Sequence, residues 1–270
     1  MGTTMQPEER LAAILEECGG ATIAVSGGVD SMTLSSFAQR TLEARVTMVH
    51  AVSPAVPAAA TARVKSQAQA ENWRLELVDA GEFGDARYRA NPIDRCFFCK
   101  TNLYRTLAAI SSGVVLSGTN CDDLGDYRPG LRAAADNAVR HPYVEAGFDK
   151  PAVRALARHL GLPELAALPA SPCLASRIET GIRIEAADLE LVDGIESWLR
   201  RTLSPNTVRC RVRADGLVIE LDDDTFAGLG DGQSLLDTLR RRFRIPADSG
   251  LRLTTYQRGS AFVGDREAAE

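Results

Sequence analysis

Short apolar runs alternate with stretches of helical period along the first 160 residues. ATIAVS (21–26) is apolar almost throughout and ends in glycines, the pattern of a strand covered on both faces. VTMVHAV (46–52), RLELVDA (74–80) and GVVLSGT (113–119) repeat it, with helices expected at about 30–42 and 57–72. Upstream, PEERLAAILEEC (7–18) opens with Pro at a helix start and spaces Leu11, Ile14, Leu15 and Cys18 along one face; Gly19 and Gly20 stop it. DKPAVRALARHLG (149–161) has Asp149 as N-cap and Gly161 as stop. Strands alternating with helices predict an α/β fold with a doubly wound parallel sheet.

The pattern changes near residue 168. LAALPASPCLASRIETG is irregular and reads as a loop or linker. A helix is expected at about 186–202, then strands TVRCRVRA and LVIELD joined by Asp215-Gly216, a strong hairpin signal. QSLLDTLRRRFR reads as a helix and LRLTTYQ as a strand. The expected domains are 1–168, a cysteine-bearing loop at 169–182, a smaller α+β domain at 183–258, and a frayed tail at 259–270.

Composition narrows the function classes. A net charge of −5 and a pI near 5.4 disfavour a general nucleic-acid binder. Only Lys65, Lys100 and Lys150 are lysines among 31 basic residues, and arginine suits carboxylate and phosphate recognition. No apolar run reaches the roughly 18 residues that a membrane helix needs. MGTTMQPEER carries no signal-cleavage pattern, so a cytoplasmic location with reduced thiols is expected. Six cysteines are then buried residues, ligands or nucleophiles rather than a disulfide framework.

SGGVDS (26–31) sits where the first strand hands over to a helix. Gly27 and Gly28 allow a tight turn, the helix-start amides favour an anion, and Ser26 and Ser31 add hydroxyls. Asp30 is a candidate Mg²⁺ ligand beside phosphate oxygens. After the fourth strand, Asp122, Asp123 and Asp126 gather where ligands bind in open α/β sheets, or form a solvated acidic loop. Arg128 and Arg132 pair with that cluster or face phosphate. Arg209 and Arg211, two apart, share a strand face and suit a phosphate, unless that face is simply solvated or bridged by Glu220. Cys18 and Cys210 read as packing. Cys96 and Cys99 in NPIDRCFFCK leave open packing, structural zinc with Cys121, a redox couple, or half of another metal site. His50, His141 and His159 lie in no ligand-like spacing and read as structural or exposed.

SGGVDS resembles the signature of the PP-loop, or ATP pyrophosphatase, superfamily, which implies ATP cleaved between its α and β phosphates. NPIDRCFFCKTNLY (91–104), GTNCDDLGDYRPGL (118–131), PCLASRIETG (172–181) and VRCRVRADGLVIEL (208–221) run in the order of the LarE family. The resemblance covers roughly residues 10–260. It implies an ATP-dependent sulfur transferase that adenylates a carboxylate of pyridinium-3,5-dicarboxylate mononucleotide and makes a thiocarboxylate for the nickel-pincer cofactor. By the same resemblance Cys173 is the sulfur-bearing cysteine, and Cys96, Cys99 and Cys173 hold a [4Fe-4S] cluster whose open iron takes hydrosulfide. A second branch instead sacrifices the cysteine sulfur and leaves dehydroalanine. The resemblance places Asp123 near magnesium or the adenylation site, and Ser176, Arg177, Arg209 and Arg211 at the substrate. The expected partners are the mononucleotide, sulfide or another sulfur donor, and further copies of the chain in a homo-oligomer, with no nucleic acid and no membrane. Glu179-Thr180-Gly181 stands where the family usually has a proline-tyrosine-glycine turn, so a related carboxylate is an alternative substrate. The competing classes are a tRNA thiolase, marked by steeply salt-dependent RNA binding, and a zinc-stabilised nucleotide-binding scaffold without turnover.

Overall fold

A computed structural model describes residues 5–125 and 129–257. The expected tail at 259–270, and with it Asp126 and Arg128, lies outside the described residues. The chain forms two compact units: residues up to Asp85 with Cys96–Ser171, and Ala86–Arg95 with the residues from Pro172 onward.

The first unit runs α1 (Pro7–Glu17), β1 (Ala21–Ala24), α2 (Val29–Leu42), β2 (Val46–Ala51), α3 (Ala58–Ala70) and β3 (Leu75–Val78). The four-residue α4 (Ala86–Arg89) then belongs to the second unit, and α5 (Arg95–Ile110) and β4 (Val114–Ser117) resume the first. Helices α6 (Pro129–Asp136), α7 (Pro142–Ala146), α8 (Lys150–His159) and α9 (Pro163–Ala166) complete it. The four strands are all parallel, in the order β3-β2-β1-β4. Ile23 pairs with Met48 on one side and Leu116 on the other, and all three are fully buried. They join one apolar cluster with Leu11, Leu15, Leu34 and Phe148. Their neighbours Val49 and Val115 join another with Tyr104 and Leu107. Successive strand residues point to opposite faces, so both faces are covered, as the continuous apolar runs require. Asp149 caps α8 by accepting from the Ala152 N–H at 2.8 Å.

The second unit continues with α10 (Ala186–Leu203), β5 (Val208–Arg213), β6 (Gly216–Leu221), α11 (Asp223–Ala227), α12 (Gln233–Phe243) and β7 (Arg252–Thr255). β5 and β6 form the antiparallel hairpin across Asp215-Gly216, and β7 lies parallel to β6. Leu189, Val192, Ile195 and Leu199 form the buried stripe of α10, and Glu196 lies among them, also fully buried. Residues 86–95 fall inside the stretch read from sequence as the first domain, yet they count with this unit. The reason is a set of polar contacts. Asn91 donates from Nδ2 to the carbonyls of Glu179 (2.8 Å) and Ile182 (2.9 Å), and its own carbonyl accepts from the Gly181 N–H at 3.0 Å. Among the described residues, no helix is long and apolar enough to cross a membrane.

Candidate active site

In the order β3-β2-β1-β4 the chain leaves β1 in one direction and returns as β4 on its other side. The gap between these strands is therefore a topological switch point, where ligands bind in open α/β sheets. The sequence places its polar loops there. Ser26–Ser31 follows β1, and Gly118–Asp123 follows β4. Gly27 has φ +83°, and a Cβ on it would lie 2.8 Å from the Ala60 carbonyl oxygen. Glycine is needed twice over, for the dihedral and for the space. A Cβ on Gly118 would come 2.8 Å from the Ser31 nitrogen, so the two loops touch across the gap.

Hydrogen bonds fix the loop from within. The Ser26 N–H donates to Ser31 Oγ (3.0 Å), the two hydroxyls lie 3.0 Å apart, and Arg63 donates to the Gly27 carbonyl (2.6 Å). Gly28 is the N-cap of α2, and its flanking side chains leave the cap to the backbone. The amide end of a 14-residue helix thus faces the loop. His50 fastens the neighbouring strand, with Nδ1 2.8 Å from the Val25 carbonyl oxygen and Nε2 2.9 Å from Thr61 Oγ1. Burial holds its pKa below the ordinary histidine value. Its role is structural, as expected.

Asp30 receives Lys150 Nζ on both carboxylate oxygens, at 2.6 and 2.5 Å, and Asn120 Nδ2 at 3.1 Å. Asp123 accepts from the Asn120 N–H (3.1 Å), and Asp122 accepts from the Lys150 N–H at the start of α8 (3.0 Å). The acidic loop is therefore organised by its own backbone and by α8. Sequence reasoning missed Lys150 and Asn120. A lysine in the first turn of a helix stands against the positive end of the helix dipole, and in a chain with so few lysines that was a usable signal. Arg132 lies with its guanidinium 4.0 Å from the Phe97 ring centre.

None of the six cysteines is in a disulfide. Cys210 is fully buried, with its thiol pKa pushed well up by burial. Cys18 donates to the Ile14 carbonyl. Cys96 is exposed and Cys99 half-buried on α5, one helical turn apart and hence on one face. Cys121 is half-buried in the turn after β4. Cys173, in the second unit, is exposed at the head of a short 3₁₀ turn, Leu174–Arg177. Among the described residues no three His, Cys, Asp or Glu side chains gather in a metal-binding arrangement. In kind, the donors still fit the groups named by the resemblance. Cys96 and Cys99 share a helix face, and thiolates are the usual ligands of iron–sulfur clusters. At the switch point the Lys150 ammonium stands in for a cation beside Asp30, so that carboxylate is placed to hold positive charge.

Around Cys173 the structure departs from expectation. Arg177 and Ser176 were expected at the substrate, but Arg177 is only 1% exposed and turned inward. It donates to both oxygens of Glu196 (2.9 and 3.1 Å), to the carbonyls of Pro172 (2.9 Å) and Cys173 (3.3 Å), and to Ser176 Oγ (2.8 Å). Ser176 Oγ donates to the Cys173 carbonyl at 2.8 Å. Burial raises the Glu196 pKa, but the Arg177 hydrogen bond leads the opposing interactions, and the net direction is down. Arg211 is buried too, donating to Glu220 (2.7 Å) and to the Ser176 carbonyl (3.1 Å); Arg213 shares Glu220. Arg209 is half-buried beside the Tyr256 ring. Burial, with the Arg177 charge next, holds its pKa below the ordinary arginine value. Four guanidinium groups (Arg177, Arg200, Arg211 and Arg213) thus share two buried carboxylates, Glu196 and Glu220, and Arg209 feels the charge of Glu196 through space. Sequence reasoning also missed Glu196. Its signal was a glutamate seven residues after Leu189, on the apolar stripe of an amphipathic helix.

No family model matches the chain. It is 39% identical over 217 residues to an uncharacterized protein of Synechocystis, covering 79% of this chain and 80% of that one. It is also 30% identical over 264 residues, 96% of this chain and 93% of the other, to the pyridinium-3,5-bisthiocarboxylic acid mononucleotide synthase of Lactiplantibacillus plantarum. The chain belongs to the LarE family. An uncharacterized protein of Methanocaldococcus jannaschii is 27% identical over 206 residues, 75% of this chain and 77% of that one. The parallel sheet flanked by helices, with its separate small sheet, is consistent with the PP-loop fold expected of LarE proteins.

Proposed function

We propose that this protein is an ATP-dependent sulfur transferase that converts a carboxylate of pyridinium-3,5-dicarboxylate mononucleotide into a thiocarboxylate, for nickel-pincer cofactor synthesis. The observation that carries the reading is the phosphate loop at the switch point between β1 and β4, with Asp30 already gripping a cation. The likeness to a named synthase over nearly the whole chain supports it.

A carboxylate is unreactive toward sulfur because its oxygen is a poor leaving group. In the proposed reaction the substrate carboxylate attacks the α-phosphorus of ATP, and pyrophosphate departs. Sulfur then adds to the acyl carbon and AMP leaves. The loop amides, Ser26 and Ser31 would hold the phosphates, and Asp30 and Asp123, which share Asn120 as a donor, would hold Mg²⁺, which supplies charge neutralisation when bound. Arg209 would take the mononucleotide phosphate, with Arg211, buried on the same strand face, adding its charge; four guanidinium groups on Glu196 and Glu220 make the local balance favour an anion. Cys96, Cys99 and Cys173 would hold the [4Fe-4S] cluster, whose chemistry when bound is to carry an extra sulfide. The enzyme would work in the cytoplasm as a homo-oligomer, fed by sulfide or another sulfur donor.

The exposure of Cys173 on a clamped loop also suits the sacrificial route. There the thiolate itself adds to the acyl-adenylate and expels AMP, and the Sγ–Cβ bond of the resulting thioester breaks as the α-proton leaves, giving dehydroalanine and the thiocarboxylate. Anaerobic reconstitution separates the two routes. The cluster reading expects a brown species of about four irons, weakened by Ala at each of Cys96, Cys99 and Cys173. Absence of iron, with a polypeptide lighter by the elements of one H₂S after a single turnover, selects the sacrificial route.

A further inference from the structure

We infer that Arg177, anchored by Glu196, is a positioning residue that sets the backbone of the Cys173 loop and so governs sulfur delivery; this rests on the sulfur-carrying reading of Cys173. The Cys173 carbonyl receives three donors: the Ser176 N–H (3.0 Å), Ser176 Oγ (2.8 Å) and Arg177 Nη1 (3.3 Å). Arg177 also holds the carbonyl one residue earlier, at Pro172. The backbone on both sides of the Cys173 peptide nitrogen is therefore fixed by one guanidinium. That guanidinium is fixed in turn. Glu196 takes its Nε and Nη2 as a fork, and its Oε1 also accepts from the Cys210 N–H of β5 at 3.0 Å. A continuous polar path thus runs from β5, through α10, to the cysteine. From the other side Arg211 holds the Ser176 carbonyl.

The residue at the end of this path behaves differently from its supports. Arg177 and Glu196 are each 1% exposed or less, whereas Cys173 is exposed. A buried ion pair is poor value as a stabiliser, since well-packed apolar side chains in its place often do as well or better. What an arginine adds that an apolar residue cannot is direction. Its planar fork holds a carboxylate on one edge and carbonyl oxygens on the other, whereas lysine offers a point charge on a flexible stem. The arrangement keeps the loop backbone rigid while leaving its cysteine accessible.

The test uses the full-length enzyme under anaerobic conditions with ATP, Mg²⁺, pyridinium-3,5-dicarboxylate mononucleotide and a sulfide source, reading pyrophosphate release and thiocarboxylate formation separately. Arg177→Lys is the first variant. Arg177→Met/Glu196→Gln is the second; it removes both charges but keeps an acceptor for the Cys210 amide, and circular dichroism confirms its fold. Both should release pyrophosphate in the first turnover within about twofold of wild type, with unchanged KM, and form thiocarboxylate about 10²-fold more slowly, the scale of loss for a misplaced reacting group. Wild-type thiocarboxylate formation in the folded double variant overturns the inference. So does a raised KM with unchanged kcat, which would make Arg177 a substrate contact. Cys173→Ala runs alongside. If it still forms thiocarboxylate at the wild-type rate, the sulfur-carrying reading itself falls and takes this inference with it, a result distinct from either of the others.

Discussion

The phosphate loop and the cysteine loop are both short irregular stretches leading into helical turns, yet they are held by opposite means. Residues 26–31 are shaped by backbone: a positive φ at Gly27, contacts that tolerate no Cβ, and the amide end of α2. Residues 172–177 are shaped by side chains, with buried arginines holding their carbonyls and buried glutamates holding the arginines. The difference suits what each loop is proposed to do. A phosphate is recognised by a ring of backbone donors that need only be in place. A sulfur carrier must be reached by other molecules, so its own side chain stays outside and its backbone is gripped from beneath.

Breaking one loop should spare the other, and the largest effect is expected where a buried charge loses its partner. Glu196→Ala strands Arg177 and the Cys210 amide in the interior, and should cost about 3–5 kcal/mol in urea denaturation. A cost under about 1 kcal/mol would show that water reaches the pair. Asp30→Asn tests the other side. It should keep the fold and slow pyrophosphate release by about 10²-fold or more, from loss of charge stabilisation at the transferring phosphorus. Wild-type release in this variant would remove Asp30 from the chemistry.

A smaller effect should sharpen the arginine assignment. Arg209→Ala is expected to weaken mononucleotide binding by roughly 1.5–3 kcal/mol, the range for a charged hydrogen bond, and to leave ATP binding alone. Calorimetric titration of both ligands checks this, and equal losses would place Arg209 elsewhere. The smallest effect concerns pH. His50 is held neutral by burial, so its folded pKa lies below its unfolded one. The unfolded chain then binds the proton first, and stability should fall as pH drops below about 6.5, the unperturbed histidine value. Above that pH the contribution is fully present. Replacing His50 with Gln should flatten the slope of stability against pH between about 7 and 5 relative to wild type.

The same contrast decides what the sequence could reveal. SGGVDS, the Asp149 cap and the Asp215-Gly216 hairpin are local signals, because glycine dihedrals, caps and tight turns are settled within a few residues. The parallel sheet followed from apolar runs too continuous for a half-exposed strand. The supports of the cysteine loop are long-range. Glu196 lies 19 residues from Arg177, and Lys150 lies 120 from Asp30. Nothing near Arg177 says that it faces inward, so a substrate contact is the natural expectation for an arginine four residues beyond an exposed serine-proline-cysteine stretch. Glu220 is an intermediate case. Bridging was considered because it lies across from Arg209 in the hairpin; in the fold it reaches the next two arginines on that face, Arg211 and Arg213.

The division of labour between the loops is tested most directly by the Cys173→Ala enzyme. Given ATP, Mg²⁺, the dicarboxylate mononucleotide and a sulfide source under anaerobic conditions, its pyrophosphate and thiocarboxylate are measured in the same reaction. The account predicts pyrophosphate and AMP at near wild-type amounts in the first turnover, with no thiocarboxylate. Thiocarboxylate formed at the wild-type rate, or loss of pyrophosphate release together with sulfur transfer, would contradict it.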